Sequence, residues 1–350
     1  MSINIDLIKH NINQFLTDEY EKQSNMISTT CFFSFSVENE IKIADIIKNI
    51  PSILEKKYDI IEDYDFINIG QLHDNLIQTH SNIDKKYVIC KYIEQNSIKF
   101  SDFLFNLPSP KLLIFHILDS YSYLLNSLHT LNQSNICFFD LSPENISFNK
   151  NYKPILQNFK TSIVIDSLNE EYISNIIKNT RDYTHKPFEI HVLFYLTKNN
   201  FSVLNEKLIQ QICDKYIETL TILQLFSQEY RDHHKIDCYN FLNSYINKPT
   251  SDVILDLLKY NDKWDTYSIS LLYLHIIAHL TRVFGLKGTI MSKMIALLTK
   301  NINPNPNSRE TLQDTLVIYN KLFDIYKDWS FVDKITNEKM DIFFVSLRNY

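Results

Sequence analysis

Three glycines in 350 residues set the tightest limit on what this chain can fold into. Glycine is about 7% of an ordinary protein. It is the residue that lets a backbone pass close under a phosphate with no Cβ in the way. No glycine precedes Gly70, so a phosphate site built on a glycine-rich loop is excluded before any motif is read. The remaining composition permits a large core: 45% of residues are hydrophobic and 13% aromatic, which rules out wholesale disorder. At roughly 150 residues per domain, the length suggests two domains or one two-lobed one. The 35 basic and 41 acidic side chains leave a net charge of −6, against a globally basic surface, so no nucleic-acid partner is expected.

The five cysteines, Cys31, Cys90, Cys137, Cys213 and Cys238, are widely spread, and no C-x-x-C pair occurs. Neither a zinc ribbon nor a redox motif is supported, and reduced, buried thiols in an intracellular protein are the simplest expectation. The opening MSINIDLIKHNINQF has no apolar signal core. The most apolar helical stretch, Ser268 to Leu280, contains His275 and His279 and is short for a membrane span. The expectation is a soluble intracellular protein with no membrane partner. Abundant Asn, Ile, Lys and Tyr suggest an AT-rich coding genome.

Hydrophobic periodicity divides the chain. Strands are predicted at Thr30 to Val37, Tyr64 to Ile69 and Lys86 to Ile93, with a helix over Glu38 to Ile50 closed by Pro51. From Ser101 onward helices dominate. Lys111 to Leu131 is long, apolar and predicted to be buried. Two short strands, Ile146 to Phe148 and Ile155 to Asn158, flank a turn. Further helices are expected at about Glu189–Leu196, Val203–Phe226, Cys238–Ile246, Trp264–Leu280, Lys287–Lys300 and Arg309–Tyr326. A strand-rich first part and a larger helical part argue an α+β fold with two lobes, residues 1–94 and 95–350. His233, His234, Asp237 and Cys238 lack a second half at ligand spacing and read as a solvated loop. Asn301 to Ser308 reads as a surface loop.

The segment Phe138 to Lys160, FFDLSPENISFNKNYKPILQNFK, carries the chemistry. By turn chemistry alone, D-L-S-P-E-N is a polar turn around Pro143, with Asp140 and Asn145 as local caps. An Asp five residues before an Asn, between a buried helix and a hairpin, also resembles the H-R-D-x-x-x-x-N catalytic loop of the protein kinase superfamily. The resemblance puts Asp140 at the catalytic Asp and Asn145 at a metal-binding Asn. Asn158-Phe159-Lys160 then stands where D-F-G is expected, with Asn158 as the second metal ligand. It extends over about residues 86 to 325. YVICKYIE resembles the last N-lobe strand running into a nucleotide-binding hinge, Lys91, Tyr92, Ile93 and Glu94. KPFEIHVL resembles A-P-E, putting Glu189 at its Glu. KWDTYSISLLYLHII puts Asp265 at the Asp of the central C-lobe helix, and NPNSRETL puts Arg309 at the Arg that pairs with Glu189. These last three are expected to be structural. The 75 residues between Glu189 and Asp265 imply a helical insertion at about 200–255. Large viral kinase-like proteins are similar in style, which would put the chain in host cytoplasm or a virion.

The resemblance implies a bilobal kinase-like fold, ATP, Mg²⁺ or Mn²⁺, and a protein substrate or partner. The departures cluster on the nucleotide. The glycine lid is absent. TCFFSFSV offers Ser34 or Ser36 where a strand lysine belongs, followed by Glu38 or Glu40. Asn158 lacks the D-F-G charge, Lys160 replaces its Gly, Phe138 and Phe139 replace His and Arg, and Ser142 replaces a loop lysine. Three losses of ~2 kcal/mol each would cost about 10⁴-fold in rate. The reading is therefore a pseudokinase or very weak kinase acting as scaffold or regulator. The alternatives are a divergent serine/threonine kinase, with Lys160 or Lys42 replacing the strand lysine, and a small-molecule phosphotransferase of the aminoglycoside or choline kinase type.

Overall fold

The computed structural model describes residues 26–51, 57–67, 86–180, 183–199 and 201–348. The N-terminal fifteen residues, Gly70 and the end of the strand predicted to reach Ile69 lie outside them. The protein is α+β, strand-rich in its N-terminal part and helical in its C-terminal part. It divides into two compact units, one of residues up to Asn96 together with Gln157–Lys160, the other of Ser97–Leu156 with Thr161 onward. The boundary thus falls at Asn96, two residues beyond the predicted one, and the first unit recruits the segment around Asn158.

In the first unit, β1 (Met26–Phe32) leads into α1 (Phe35–Lys48), followed by β2 (Tyr58–Asp59), β3 (Asp63–Ile67) and β4 (Tyr87–Ile93). An antiparallel sheet has the order β1-β4-β3, with Cys31 opposite Val88 and Tyr64 opposite Cys90. The strand predicted over Thr30 to Val37 is corrected: it ends at Phe32, and Ser34 sits at the N-cap position of α1 in extended conformation. Phe33, Phe35 and Val37 fit either period. Val37, Ile41, Ala44 and Ile47 form the buried helical stripe, and that stripe carries the helix back to Phe35. Ser34 and Ser36 therefore belong to a helix start and occupy no strand position.

The second unit opens with β5 (Ile98–Lys99), α2 (Phe100–Phe105) and α3 (Pro110–Gln133). Ser109 caps α3 by accepting the Leu112 N–H at 3.3 Å, and Pro110 fills the first turn, where no N–H is needed. Then come β6 (Ile136–Cys137), β7 (Ile146–Phe148), β8 (Pro154–Gln157), β9 (Ile163–Val164), α4 (Glu170–Asn179), α5 (Phe188–Asn199), α6 (Glu206–Thr219), α7 (Gln228–Asn243), α8 (Thr250–Leu257), α9 (Trp264–Phe284), α10 (Ile290–Asn301), α11 (Leu312–Ile325) and α12 (Asn337–Arg348). Helices α2, α4, α8 and α12 have no counterpart in the periodicity reading. The helix predicted over Val203 to Phe226 breaks after Thr219 into a 3-10 turn.

Helix α9 is the centre of this unit, buried nearly all round from Trp264 to Leu280 and stopped by Gly285 in the left-handed region at φ 67°. Tyr121 of α3 is wholly buried with its ring 5.0 Å from that of Tyr273 of α9 and 5.1 Å from that of Tyr319 of α11. Thr250–Phe284 is long and apolar enough to cross a membrane, but 72% of its most apolar window is buried inside the protein.

Two loop expectations are corrected. His233, His234, Asp237 and Cys238 lie on α7, where His234 and Cys238 face the core at i, i+4 spacing. The segment Asn301 to Ser308 is held from within: Asn301 is wholly buried, and the Asn303 and Asn305 side chains accept the backbone N–H groups of Asn305 and Asn307 at 2.8 and 3.0 Å.

Candidate functional site

The loop after β6 is built on a carboxylate. Asp265, in the first turn of α9 and 2% exposed, accepts the backbone N–H of Phe138 on Oδ2 and that of Phe139 on Oδ1, each at 2.8 Å. Burial pushes its carboxyl up, while the N–H groups of Phe139 and Phe138 pull it down. Phe139 has φ 67°, and the Asp140 N–H donates back to the Phe138 carbonyl at 2.8 Å. This is a γ-turn with a bulky residue in the left-handed region, a strained arrangement that persists only where its surroundings fix it. Trp264 packs edge-on to the Phe139 ring, with centroids 5.8 Å apart.

The other side of the turn is held by Lys186, immediately before the Pro187-Phe188-Glu189 start of α5. Its ammonium donates to the Phe139 carbonyl at 2.7 Å and to Asp140 Oδ1 at 2.5 Å, and lies 4.7 Å from the Phe139 ring centroid. Lys186 is 1% exposed, so the amine is desolvated and its partners are protein atoms. Asp140 keeps 21% of its side chain exposed, and its Oδ2 accepts a long 3.4 Å bond from Thr161. Asn145 closes the loop: its amide donates to the Asp140 carbonyl at 2.8 Å from a short 3-10 turn, Pro143–Asn145.

Glu189 and Arg309 form a bidentate pair, Oε1 to one terminal nitrogen at 2.7 Å and Oε2 to the other at 2.8 Å, with both side chains fully buried. Two further guanidinium donors go to the carbonyls of Asn303 at 2.6 Å and Pro304 at 3.1 Å. The Tyr267 ring centroid lies 4.9 Å from the guanidinium carbon. The pair ties α5 to the loop after α10, with every charge matched by partners.

In the first unit, Lys91, Tyr92 and Ile93 form the end of β4, paired with Ser28, Ile27 and Met26. Of the four residues expected at a hinge, these three lie within β4, where alternating β-forming side chains keep the strand going, and Glu94 lies beyond it. The Lys91 ammonium meets Asp63 at 2.8 Å and Asp65 at 2.7 Å. Of the two candidate glutamates, Glu38 is exposed and Glu40 is 4% exposed. Burial raises the Glu40 carboxyl to about 7, against the Lys160 charge and the Phe159 N–H. Asn39 donates to the Lys160 carbonyl at 3.1 Å. Asn158 sits at φ 64°, a conformation asparagine tolerates better than most residues.

The second unit thus gathers Asp140, Asn145 and Asp265 around one loop, and Glu189, three residues after Lys186, is joined to Arg309. Lys91, Tyr92, Ile93, Glu94 and Asn158 belong to the first. Sequence reading missed Lys186 and Thr161. The one signal for Lys186 was a lysine abutting an otherwise apolar helix start. No protein-family model matches this chain, and no curated protein is significantly similar to it.

Proposed function

We propose that this chain is a kinase-like pseudokinase, a scaffold or regulator for a protein partner, in which the loop of Asp140 is kept as framework. The observation that carries this reading is Lys186: a buried ammonium takes Asp140 Oδ1 and the Phe139 carbonyl together, so the position of a proton acceptor is spent on fixing the turn. The residues fit a metal–triphosphate poorly. The lysine of β4 is committed to Asp63 and Asp65. Asn145 and Asn158 offer neutral amide oxygens, where a hard dication prefers carboxylates. No cluster of three or more His, Cys, Asp or Glu is arranged for a metal among the described residues.

The bidentate Glu189–Arg309 pair favours a protein-kinase-like chain over a small-molecule phosphotransferase. Residual exposure of Asp140 supports the second reading, a weak serine/threonine kinase using Oδ2. The test is a thermal shift with ATP, with and without Mg²⁺ or Mn²⁺, on wild type and Asn158→Ala, beside a phosphotransfer assay on wild type and Asp140→Ala. A ligand at 100 times its dissociation constant stabilises by about 2.7 kcal/mol. The expected result is no shift and no transfer. A metal-dependent shift lost in Asn158→Ala, together with transfer lost in Asp140→Ala, overturns the proposal in favour of the active kinase.

A further inference from the structure

We propose that Cys31 and Cys90 are a peroxide-reactive thiol pair, Cys31 attacking and Cys90 resolving to a disulfide across β1 and β4. The two sit on one face of the sheet at diagonal positions, since Cys31 is opposite Val88 and Cys90 is opposite Thr29. Their Sγ atoms are 3.9 Å apart with no side chain needed to bridge them. They differ in access: Cys31 is half-buried and Cys90 is 1% exposed. They also differ in acidity. The Cys31 thiol is pulled down by its contact with Cys90 and by the Lys160 charge, against its own desolvation, whereas contact with Cys31 and burial push Cys90 up. A half-buried thiol of lowered pKa beside a fully buried one sets the order of the two steps, with the accessible sulfur meeting the oxidant first.

The co-reactant is a hydroperoxide. The Cys31 thiolate attacks its terminal oxygen, the O–O bond breaks, and the departing oxyanion takes the thiol proton and leaves as alcohol or water. Cys31 is then a sulfenic acid. The Cys90 sulfur attacks the Cys31 sulfur, the S–O bond breaks, and water leaves with the Cys90 proton. Two thiols lose two electrons and the peroxide gains them. Closing from 3.9 Å to a bond of about 2.0 Å links β1 to β4 at a diagonal position. Cys137, Cys213 and Cys238, each at most 1% exposed, serve as internal references.

The experiment treats the reduced full chain with hydrogen peroxide, quenches by alkylation, and maps cysteine peptides without reductant. The expected result is a Cys31–Cys90 crosslinked peptide that dithiothreitol reverses. Cys90→Ser should lose the crosslink and leave Cys31 trapped by dimedone as a sulfenic acid. Cys31→Ser should lose both products and leave Cys90 reduced. The proposal is overturned if the native chain keeps both thiols alkylatable, if Cys90 is the residue trapped by dimedone, or if only intermolecular disulfides form. Circular dichroism of both variants establishes that they are folded.

Discussion

Glu40 supplies a pH dependence with a definite sign. Its carboxyl is buried on α1 and raised from 4.5 to about 7, chiefly by desolvation. The folded first unit therefore holds this proton more tightly than the unfolded chain does. Its contribution is fully favourable below pH 4.5, declines as pH rises through about 7, and is flat above that. The interval from 4.5 to about 7 corresponds to about 3 kcal/mol of lost stability at pH 8. Glu40→Gln removes the charge and keeps an oxygen that can accept the Phe159 N–H, so it mimics the protonated carboxyl. The variant should be about 3 kcal/mol more stable than wild type at pH 8 and within about 1 kcal/mol of it at pH 5. Hydrogen exchange of the α1 amides at the two pH values reads this locally. Lys160→Met should act in the opposite direction and lower wild-type protection at pH 8. If Glu40→Gln instead loses protection at pH 8, the Lys160 charge outweighs desolvation and the reasoning fails.

The buried Glu189–Arg309 pair should cost about 3–5 kcal/mol when either partner alone is removed, as in Glu189→Gln or Arg309→Met, and the double variant should cost less than the sum in urea unfolding. Asp265→Asn turns one acceptor of the Phe138 and Phe139 N–H groups into a donor facing a donor. A loss of about 3 kcal/mol is expected, and a loss below about 0.5 kcal/mol by urea unfolding would show that the turn does not depend on that carboxylate. His234 on α7 is pushed down to about 4 by burial and by the Arg309 charge. Its contribution is intact above pH 6.5 and is lost as pH falls through about 4, up to about 3 kcal/mol. An acid titration followed by near-ultraviolet circular dichroism should show this loss, and a neutral His234→Gln variant should titrate more shallowly.

What could be read from the sequence is what period and short-range motif encode. The α1 stripe Val37, Ile41, Ala44 and Ile47, the helix around Leu113 to Leu131 and the helix beginning at Trp264 all follow from spacing alone. Asp265 and the Glu189–Arg309 pair came from motif order, and their contacts are the ones that order implies. Lys186 was not legible, because a lysine's partner is set by which loop arrives opposite it, and Asp140 lies 46 residues away. The end of β4 was not legible for a related reason: the strand keeps alternating to Ile93, and tertiary pairing with Met26 to Ser28 fixes where it ends.

The glycine shortage leaves its own mark on the backbone. Among the described residues, Asn135, Phe139, Tyr152, Asn158 and Asn247 adopt positive φ beside Gly285 and Gly288. Three of these five are asparagines, whose short amide makes the left-handed region accessible. The chain thus performs with Asn most of the turning that glycine usually performs, Asn158 included. Phe139, like Tyr152, is different in kind, because neither a small side chain nor an amide relieves it, and Phe139 is also wholly buried. Its conformation is stabilised from outside, by a carboxylate on its N–H and an ammonium on its carbonyl. A strained turn gripped at both ends, by Asp265 and by Lys186, costs stability to maintain. That grip at both ends is the observation on which the proposed framework role of the Asp140 loop rests.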